Sequence, residues 1–466
     1  MAKTPHTLSS RSQGFAFAQP QFQQIIEDVL AISRKLGTSD AAAEVSEGSG
    51  LSVSVRKGEV ENVERNRDKS MGVTVYMGQR RGNASTSDFS RAALEQTVRA
   101  AHDIARFTAE DPAAGLPNRE DMALGDAALR DLDLFHPWGI DAEGALKIAM
   151  RCEAAALGVD PHITNSEGSG VSVQQSHFFA GNSGGFRGGY ASSRHSMSVA
   201  PIASTPGRNG PDMQRDAWYT SMRSHADMAA PEVVGRYAAQ RALSRLKSRK
   251  IKTCEVPVLF ESSVASGLLG AYVQATSGGS LYRKASFLQD SLGQRVLPEH
   301  IDIHEDPHLL RGKGSAPFDD EGVLTHAREV VRAGVVQGYF LSTYSGRKLG
   351  MRTTGHAGGA QNLALTSRLT QAGDDLEAML RKLHRGLFVI ELMGQGVNYV
   401  TGDYSRGAAG FWVEGGRIKY PVHEITIAGN LRDMLQGIVG VGADTYTSGS
   451  KTTGSVLVDR MKIAGS

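Results

Sequence analysis

Only two cysteines, Cys152 and Cys254, occur in 466 residues, far apart and outside any C-x-x-C pair. A disulfide framework and a cysteine metal clip are thereby excluded, and both side chains read as buried reduced thiols. No run approaches the ~18 consecutive apolar residues of a membrane-spanning helix, which excludes that class. An excess of one charge is missing too. The chain has 51 Lys plus Arg against 49 Asp plus Glu, a net +2, and its basic residues are spread out, with none of the stripe that a nucleic-acid binder concentrates. The start, MAKTPHTLSSRSQGFAFAQP, has neither a basic segment followed by an apolar core nor a cleavage-site pattern, which points to the cytoplasm.

What the chain does have is glycine, 54 of them, in short clusters between strand-like runs. Tight turns between many short strands follow, and at this length two or three domains are expected. After a polar leader over 1–19, Phe22, Ile25, Ile26, Val29, Ile32 and Leu36 recur at helical spacing up to a stop at Gly37. LSVSVRKGEVENVER and MGVTVYMGQRRGNAS alternate with period two around Lys-Gly and Gly-Gln turns, the pattern of antiparallel hairpins. A second helix is expected from Ser90 to Phe107.

The octapeptide SEGSGLSV at Ser46–Val53 returns as SEGSGVSV at Ser166–Val173, and each copy follows an amphipathic helix, the second over Asp141–Leu157. This reads as a duplicated helix-plus-hairpin unit. The first unit with an Ala/Asp/Pro-rich linker (Glu110–Leu134) covers 20–134, the second covers 135–230, and a β-rich C-terminal domain covers 231–466. That domain starts at Pro231 with the helix EVVGRYAAQRALSRLKSRK and continues through hairpins turning at Ala333-Gly334 and Gly415-Gly416 to the strands HEITIAGN and GSVLVDRMKIAG. Strands outnumber helices without alternating one for one, so the fold class is α+β.

Candidate chemistry is sparse. His300, His304 and His308 in EHIDIHEDPH would share a helix face and could bind zinc, but Ile301 and Ile303 alternate with polar residues between Pro298 and Pro307. An extended run is expected, with His300 and His304 about 13 Å apart. His356 in TGHAGGAQN lacks a neighbouring nucleophile and reads as structural. In MGQGVNYVTGDYSRGAAGFW (Met393–Trp412), Gly394, Gln395, Tyr404, Ser405 and Arg406 are peptide-binding candidates, because glycine-freed amides and an arginine can grip a main chain or carboxylate. The helix around GLLGAYVQATSGG carries a packing stripe of Val264, Leu268, Ala271, Tyr272 and Ala275, and its stop is expected at Gly278-Gly279.

Seven ordered segments, QRDAWYT, GRYAAQRALSRLKSRK, GGSLYRKASFL, FDDEGV, SGRKLGMRTTGHAGG, ELMGQGVNYVTGDYSRGAAGFWVEGG and EITIAGNL, together resemble the PmbA, or TldE, branch of the TldD/PmbA family, which carries the old label of modulators of DNA gyrase. The resemblance covers nearly the whole chain. It implies a cytoplasmic α+β subunit of a TldD–TldE metalloprotease that acts on small or unfolded polypeptides and peptide precursors. In the sister TldD branch, H-E-x-x-x-H follows a Leu-Leu pair; here Leu268-Leu269 is followed by Gly270 and Ala275 in the histidine places and Ala271 in the glutamate place. The sister's cysteine ligand near the C-terminus has no counterpart after Cys254. The resemblance therefore implies no catalytic or metal residue in this chain, with zinc and the catalytic glutamate in a TldD partner, and leaves a homodimer open when that partner is missing. The alternatives are an autonomous hydrolase using His300, His304, His356 or Glu391, and a module that modulates a DNA enzyme.

Overall fold

The computed structural model describes residues 14–207 and 210–465, so most of the expected leader lies outside the described residues. Two compact units divide the chain. The first takes the described part of Met1–Ile202 with Asp216–Ala239 and Pro317–Thr325, and the second takes Ala203–Arg215, Gln240–Ala316 and His326–Ser466.

In the first unit, α1 (Gln19–Lys35) leads into β1 (Asp40–Arg56), β2 (Glu59–Met77) and β3 (Arg80–Thr86), followed by α2 (Arg91–Phe107). After α3 (Ala142–Leu157) come β4 (Ile163–Asn182), β5 (Arg187–Gly188) and β6 (Ala191–Thr205); β7 (Asp212–Arg215), which belongs to the second unit, precedes β8 (Trp218–Met222) and the start of α4 (Pro231–Ser244). The sheet runs β3-β2-β1-β4-β6, with β5 beside β4 and β8 beside β6. The helix starts follow their caps: Ser90 Oγ accepts the Ala93 amide, and Asp141 Oδ1 accepts that of Gly144 at 2.8 Å. The Lys57-Gly58 turn has φ of 54° and 78°, the left-handed geometry of a tight hairpin.

The repeat is expressed as strand pairing. Ser52 lies directly across from Ser172, its equivalent in the second copy, with the hydroxyls 3.3 Å apart. The flanking pairs Leu51–Val173 and Val53–Val171 exchange equivalent positions, as a local two-fold relation requires. One face of this sheet packs α1 and α2 against Val45, Met71, Val73 and Val75 in a single apolar core. The opposite face is covered in part, where Phe178 and Ala180 pack against Met122, Ala128 and Phe318.

Glu47 is a buried carboxylate on the covered face, 1% exposed. Its carboxylate accepts the amides of Ala16 at 2.8 Å and Phe17 at 3.1 Å and faces His177 Nε2 at 3.4 Å, so it ties the segment before α1 to β1. Glu47→Ala is expected to release that segment at a cost of about 2 kcal/mol. Limited chymotrypsin digestion, with accelerated cleavage at Phe15 and Phe17, checks this.

Two expectations are corrected here. The Glu110–Leu134 stretch is packed: 3-10 turns at Arg119–Asp121 and Gly125–Leu129 bury Ala123 and Ala128 with Met122, Phe186 and Phe318. Its alanines supply small apolar contacts that composition alone does not separate from a linker. The helix from Pro231 ends at Ser244, short of Lys250, because the chain tightens through Arg245 and Leu246 and turns to φ 60° at Lys247.

The second unit holds two sheets. Its elements are β9 (Cys254–Phe260), α5 (Ser262–Ala275), α6 (Gly278–Tyr282), β10 (Ile301–Glu305), β11 (Arg328–Arg332), β12 (Val335–Val336), α7 (Thr343–Lys348), β13 (Leu363–Ser367), α8 (Leu376–Leu383) and β14 (Gly386–Met393). There follow β15 (Asp403–Glu414), β16 (Arg417–Asn430), α9 (Leu431–Gln436), β17 (Ile438–Val441), β18 (Tyr446–Ser448), β19 (Lys451–Thr453) and β20 (Val456–Ala464). One sheet runs β12-β11-β10-β13-β19-β18, the other β16-β15-β14-β9-β20-β17. Their inner faces and α5 share one core that includes Phe260, Leu269, Tyr272, Ile303, Val389 and Ile427. The α+β class, with antiparallel hairpins and a β-rich C-terminal region, is the observed one.

Gly278-Gly279 does not stop α5 but opens α6. Thr276 folds its hydroxyl back onto the Tyr272 carbonyl at 2.7 Å, and Ser277 Oγ then caps the new helix. Glycine is required at 278 by close approach, since a Cβ there would lie 2.2 Å from Ser345 Oγ.

Candidate functional site

α5 begins beside a nearly buried ion pair, Arg241 to Glu261 at 2.7 Å, and its expected stripe is buried: Leu268, Ala271, Tyr272 and Ala275 are each at most 5% exposed. Ala271 and Ala275 belong to the core cluster, and Gly270 offers no side chain to the Lys451 stem beside it. A metal needs lone pairs from His, Cys or carboxylate side chains at about 2 Å. The residues present do not fit a zinc site, and burial pushes the Tyr272 phenol well above its usual range.

The three spaced histidines separate as an extended run does. His300 precedes β10 and reaches Ser367 Oγ at 2.8 Å and the Ile438 carbonyl at 3.1 Å, whereas His304 faces Glu329 at 3.2 Å. His308 follows the strand, its amide donating to Asp306 at 2.8 Å. Among the described residues no group of three or more His, Cys, Asp or Glu side chains is placed to hold a metal ion. Glu391, another hydrolase candidate, pairs with Arg245 at 2.5 Å.

The group that sequence reading missed is a buried network around His356. Its Nε2 lies 2.8 Å from Glu305 Oε2 and its Nδ1 2.9 Å from Thr354 Oγ1. Arg328 donates from Nε to the same Glu305 oxygen at 2.8 Å and from Nη1 to the Tyr339 carbonyl at 2.8 Å. Glu305 Oε1 accepts the Gln361 amide at 2.8 Å. Burial alone would raise the Glu305 carboxyl, but His356 and Arg328 together outweigh it and hold it below the usual carboxylate range. Burial pushes His356 down, against the pull of Glu305. Glu305 is fully buried and His356 nearly so, and the network ties the loop 353–362 to β10 and β11. Glu305 stands 51 residues from His356 in the chain, and only the pairing of β10 with β11 and β13 brings the three groups together.

The peptide-binding candidates fall into two groups. Gly394 and Gln395 are exposed in the loop between β14 and β15, and Ser405 is exposed on β15. Tyr404 is packed in the core at 5% exposure, its hydroxyl pushed up to about 12 by burial. Arg406 is half-buried and reaches the Leu392 carbonyl at 3.4 Å. The loop is pinned at Gly396, whose carbonyl accepts the Ser405 amide at 2.7 Å.

An α+β chain with a helix-covered N-terminal sheet and a two-sheet C-terminal unit defines the protein's class. Its sequence matches three models of the PmbA/TldA metallopeptidases: domain 1 over residues 41–105, the central domain over 135–246 and the C-terminal domain over 253–465. The chain belongs to this family. It is 49% identical over 446 residues to the metalloprotease PmbA of Escherichia coli O157:H7, covering 95% of this chain and 97% of that one. The PmbA homologue of Haemophilus influenzae is 46% identical, covering 96% and 97%. Two crystal structures share the fold. One, from Bacteroides thetaiotaomicron and titled a modulator of DNA gyrase, has a TM-score of 0.88 at 24% identity and covers 95% of this chain and 99% of that one. The other, TldE from Thermococcus kodakarensis, has a TM-score of 0.78 at 19% identity and covers 95% and 100%. Among the described residues no helix is long and apolar enough to cross a membrane.

Proposed function

We propose that this chain is the PmbA/TldE-type subunit of a TldD–TldE metalloprotease that degrades or processes small or unfolded polypeptides, and that it does not itself cleave. The observation that carries the reading is α5: the places that hold the sister branch's zinc histidines and glutamate are Gly270, Ala275 and Ala271, on a helix buried in the core. Zinc and the catalytic glutamate then reside in the TldD-type partner. This chain's share is to hold substrate extended and complete the site, with the exposed Gly394, Gln395 and Ser405 available to a peptide main chain and the complex working in the cytoplasm.

The purified chain, supplied with zinc, is expected to cleave an unfolded polypeptide no faster than a protein-free control, and the mixture with a TldD-type protein to cleave it readily. Equal rates for the chain alone and the mixture would sink the proposal.

A further inference from the structure

β2 pairs with β1 from Glu59, opposite Arg56, to Tyr76, opposite Asp40, whereas β3 flanks only its Met71–Met77 portion. Among the described residues no strand pairs with the outer edge of Glu59–Ser70. Every residue of that stretch is exposed, including two large apolar side chains, Val60 at 50% and Val63 at 45%. Such an edge offers solvent a row of main-chain donors and acceptors, the groups by which a sheet recruits a further strand.

Charges on an edge ordinarily guard it against pairing. Here the signs are segregated along the strand: Glu59, Glu61 and Glu64 precede Arg65, Arg67 and Lys69. Asp68 alone breaks the order, and Asn66 Nδ2 donates to it at 3.2 Å. A parallel neighbour of the same sequence would set like charges side by side, but an antiparallel one sets acid against base. Two strands related by a two-fold axis keep each side chain on its own face, so a residue meets only residues an even number of places away.

That rule selects one register. With the axis at Val63, Val63 meets its own copy, Glu61 meets Arg65 of the second copy and Glu59 meets Arg67, each ion pair occurring twice. One place further along, Glu64 would face Glu64, and two places further, Arg65 would face Arg65. One place back, Val63 would face Glu61. Glu61 is the extra residue of a bulge, because Asn62 pairs with Ser54 and Val60 with Val55, so no β1 neighbour fixes its side chain to one face. Arg67 already donates from Nη2 to the Gly14 carbonyl at 3.0 Å, which leaves Glu61 with Arg65 as the pair to test.

We propose that the outer edge of β2 is a self-association surface, on which a second copy of this chain lays its own Glu59–Arg67 antiparallel about a two-fold axis at Val63, joining two sheets into one. The inference goes beyond the subunit role proposed above and does not rest on it.

Light scattering and sedimentation equilibrium of the purified chain alone test it. The unmodified chain is expected to be a dimer that weakens as ionic strength rises from about 0.05 to 0.5 M. Glu61→Arg and Arg65→Glu are each expected to weaken that dimer at least about 10-fold, since each sets two like-charged pairs across the axis. Mixed one to one, the two variants are expected to restore it, because opposite signs then meet at both places. Val63→Cys is expected to give a disulfide-linked dimer on mild oxidation, as residues on the axis have Cα atoms about 4.5–5.5 Å apart, and Val60→Cys is not. A monomeric unmodified chain overturns the proposal, including one that associates only with a TldD-type protein. A dimer that both charge reversals leave intact also overturns it, as do folded reversal variants that stay monomeric when mixed. Where a reversal variant fails to fold, the Val63→Cys cross-link decides, and its absence overturns the proposal.

Discussion

Glu305→Ala is expected to destabilise the second unit by about 3–5 kcal/mol, the cost of removing one partner from a buried charged group. The carboxylate is the only anion in its network, and it holds Arg328, His356 and the Gln361 amide at once. Without it a cation stays in the core beside a histidine that has lost its acceptor. Urea unfolding, with hydrogen exchange at β10 and the 353–362 loop to localise the loss, measures the effect. A shift under about 1 kcal/mol would show that the network contributes little. Replacing Glu305 and Arg328 together by apolar residues is expected to recover part of the loss, since a buried pair is far costlier to break than to remove.

The same network sets a pH dependence. His356 is depressed below its unfolded value near 6.5, so its contribution is complete above that pH and is lost as pH falls toward the folded value. Glu305 is also depressed, so its contribution is complete above about 4.5 and is lost on further acidification. Both act in one direction, and the urea midpoint is expected to fall steadily below pH 6.5. In His356→Asn the first part of that slope, from about pH 6.5 to 5, is expected to flatten.

Grafting the sister branch's zinc residues onto α5 is expected to cost stability and give no peptidase. Ala275 is fully buried and Ala271 is 5% exposed, so Ala275→His forces a ring into a filled core and Ala271→Glu adds an unpaired carboxylate. Overpacking of this kind costs about 1–3 kcal/mol and an unpaired buried polar group a comparable amount, so the triple variant with Gly270→His should lose about 3 kcal/mol or more. The thermal midpoint reads the loss, and plasma emission analysis of the dialysed protein reads the metal. A folded variant that retains one zinc per chain and cleaves peptide would show that side-chain identity alone separates the two branches.

The parts of the fold legible in the sequence are those whose signals lie within a few residues. Ser90 and Asp141 cap the helices they precede, and Lys57-Gly58, Ala333-Gly334 and Gly415-Gly416 turn the hairpins because their backbones adopt positive φ. The emptiness of α5 was equally legible, because the types at 270, 271 and 275 hold no lone pair wherever they stand. The Gly-Gly stop misled for a physical reason: Gly278 is there to let Ser345 approach, a demand from α7 that lies 67 residues away.

By itself, then, the sequence determined the α+β class, the internal repeat, the hairpin turns, the family and the residue types along α5. Tertiary structure alone decided that the Glu110–Leu134 stretch packs, that Glu305 and Arg328 meet at His356, and that Tyr404 is buried while Ser405 is exposed. The division has one cause. Caps, turns and face periodicity are properties of neighbouring residues, whereas burial and charge pairing depend on strand order and register, which bring together side chains dozens of residues apart.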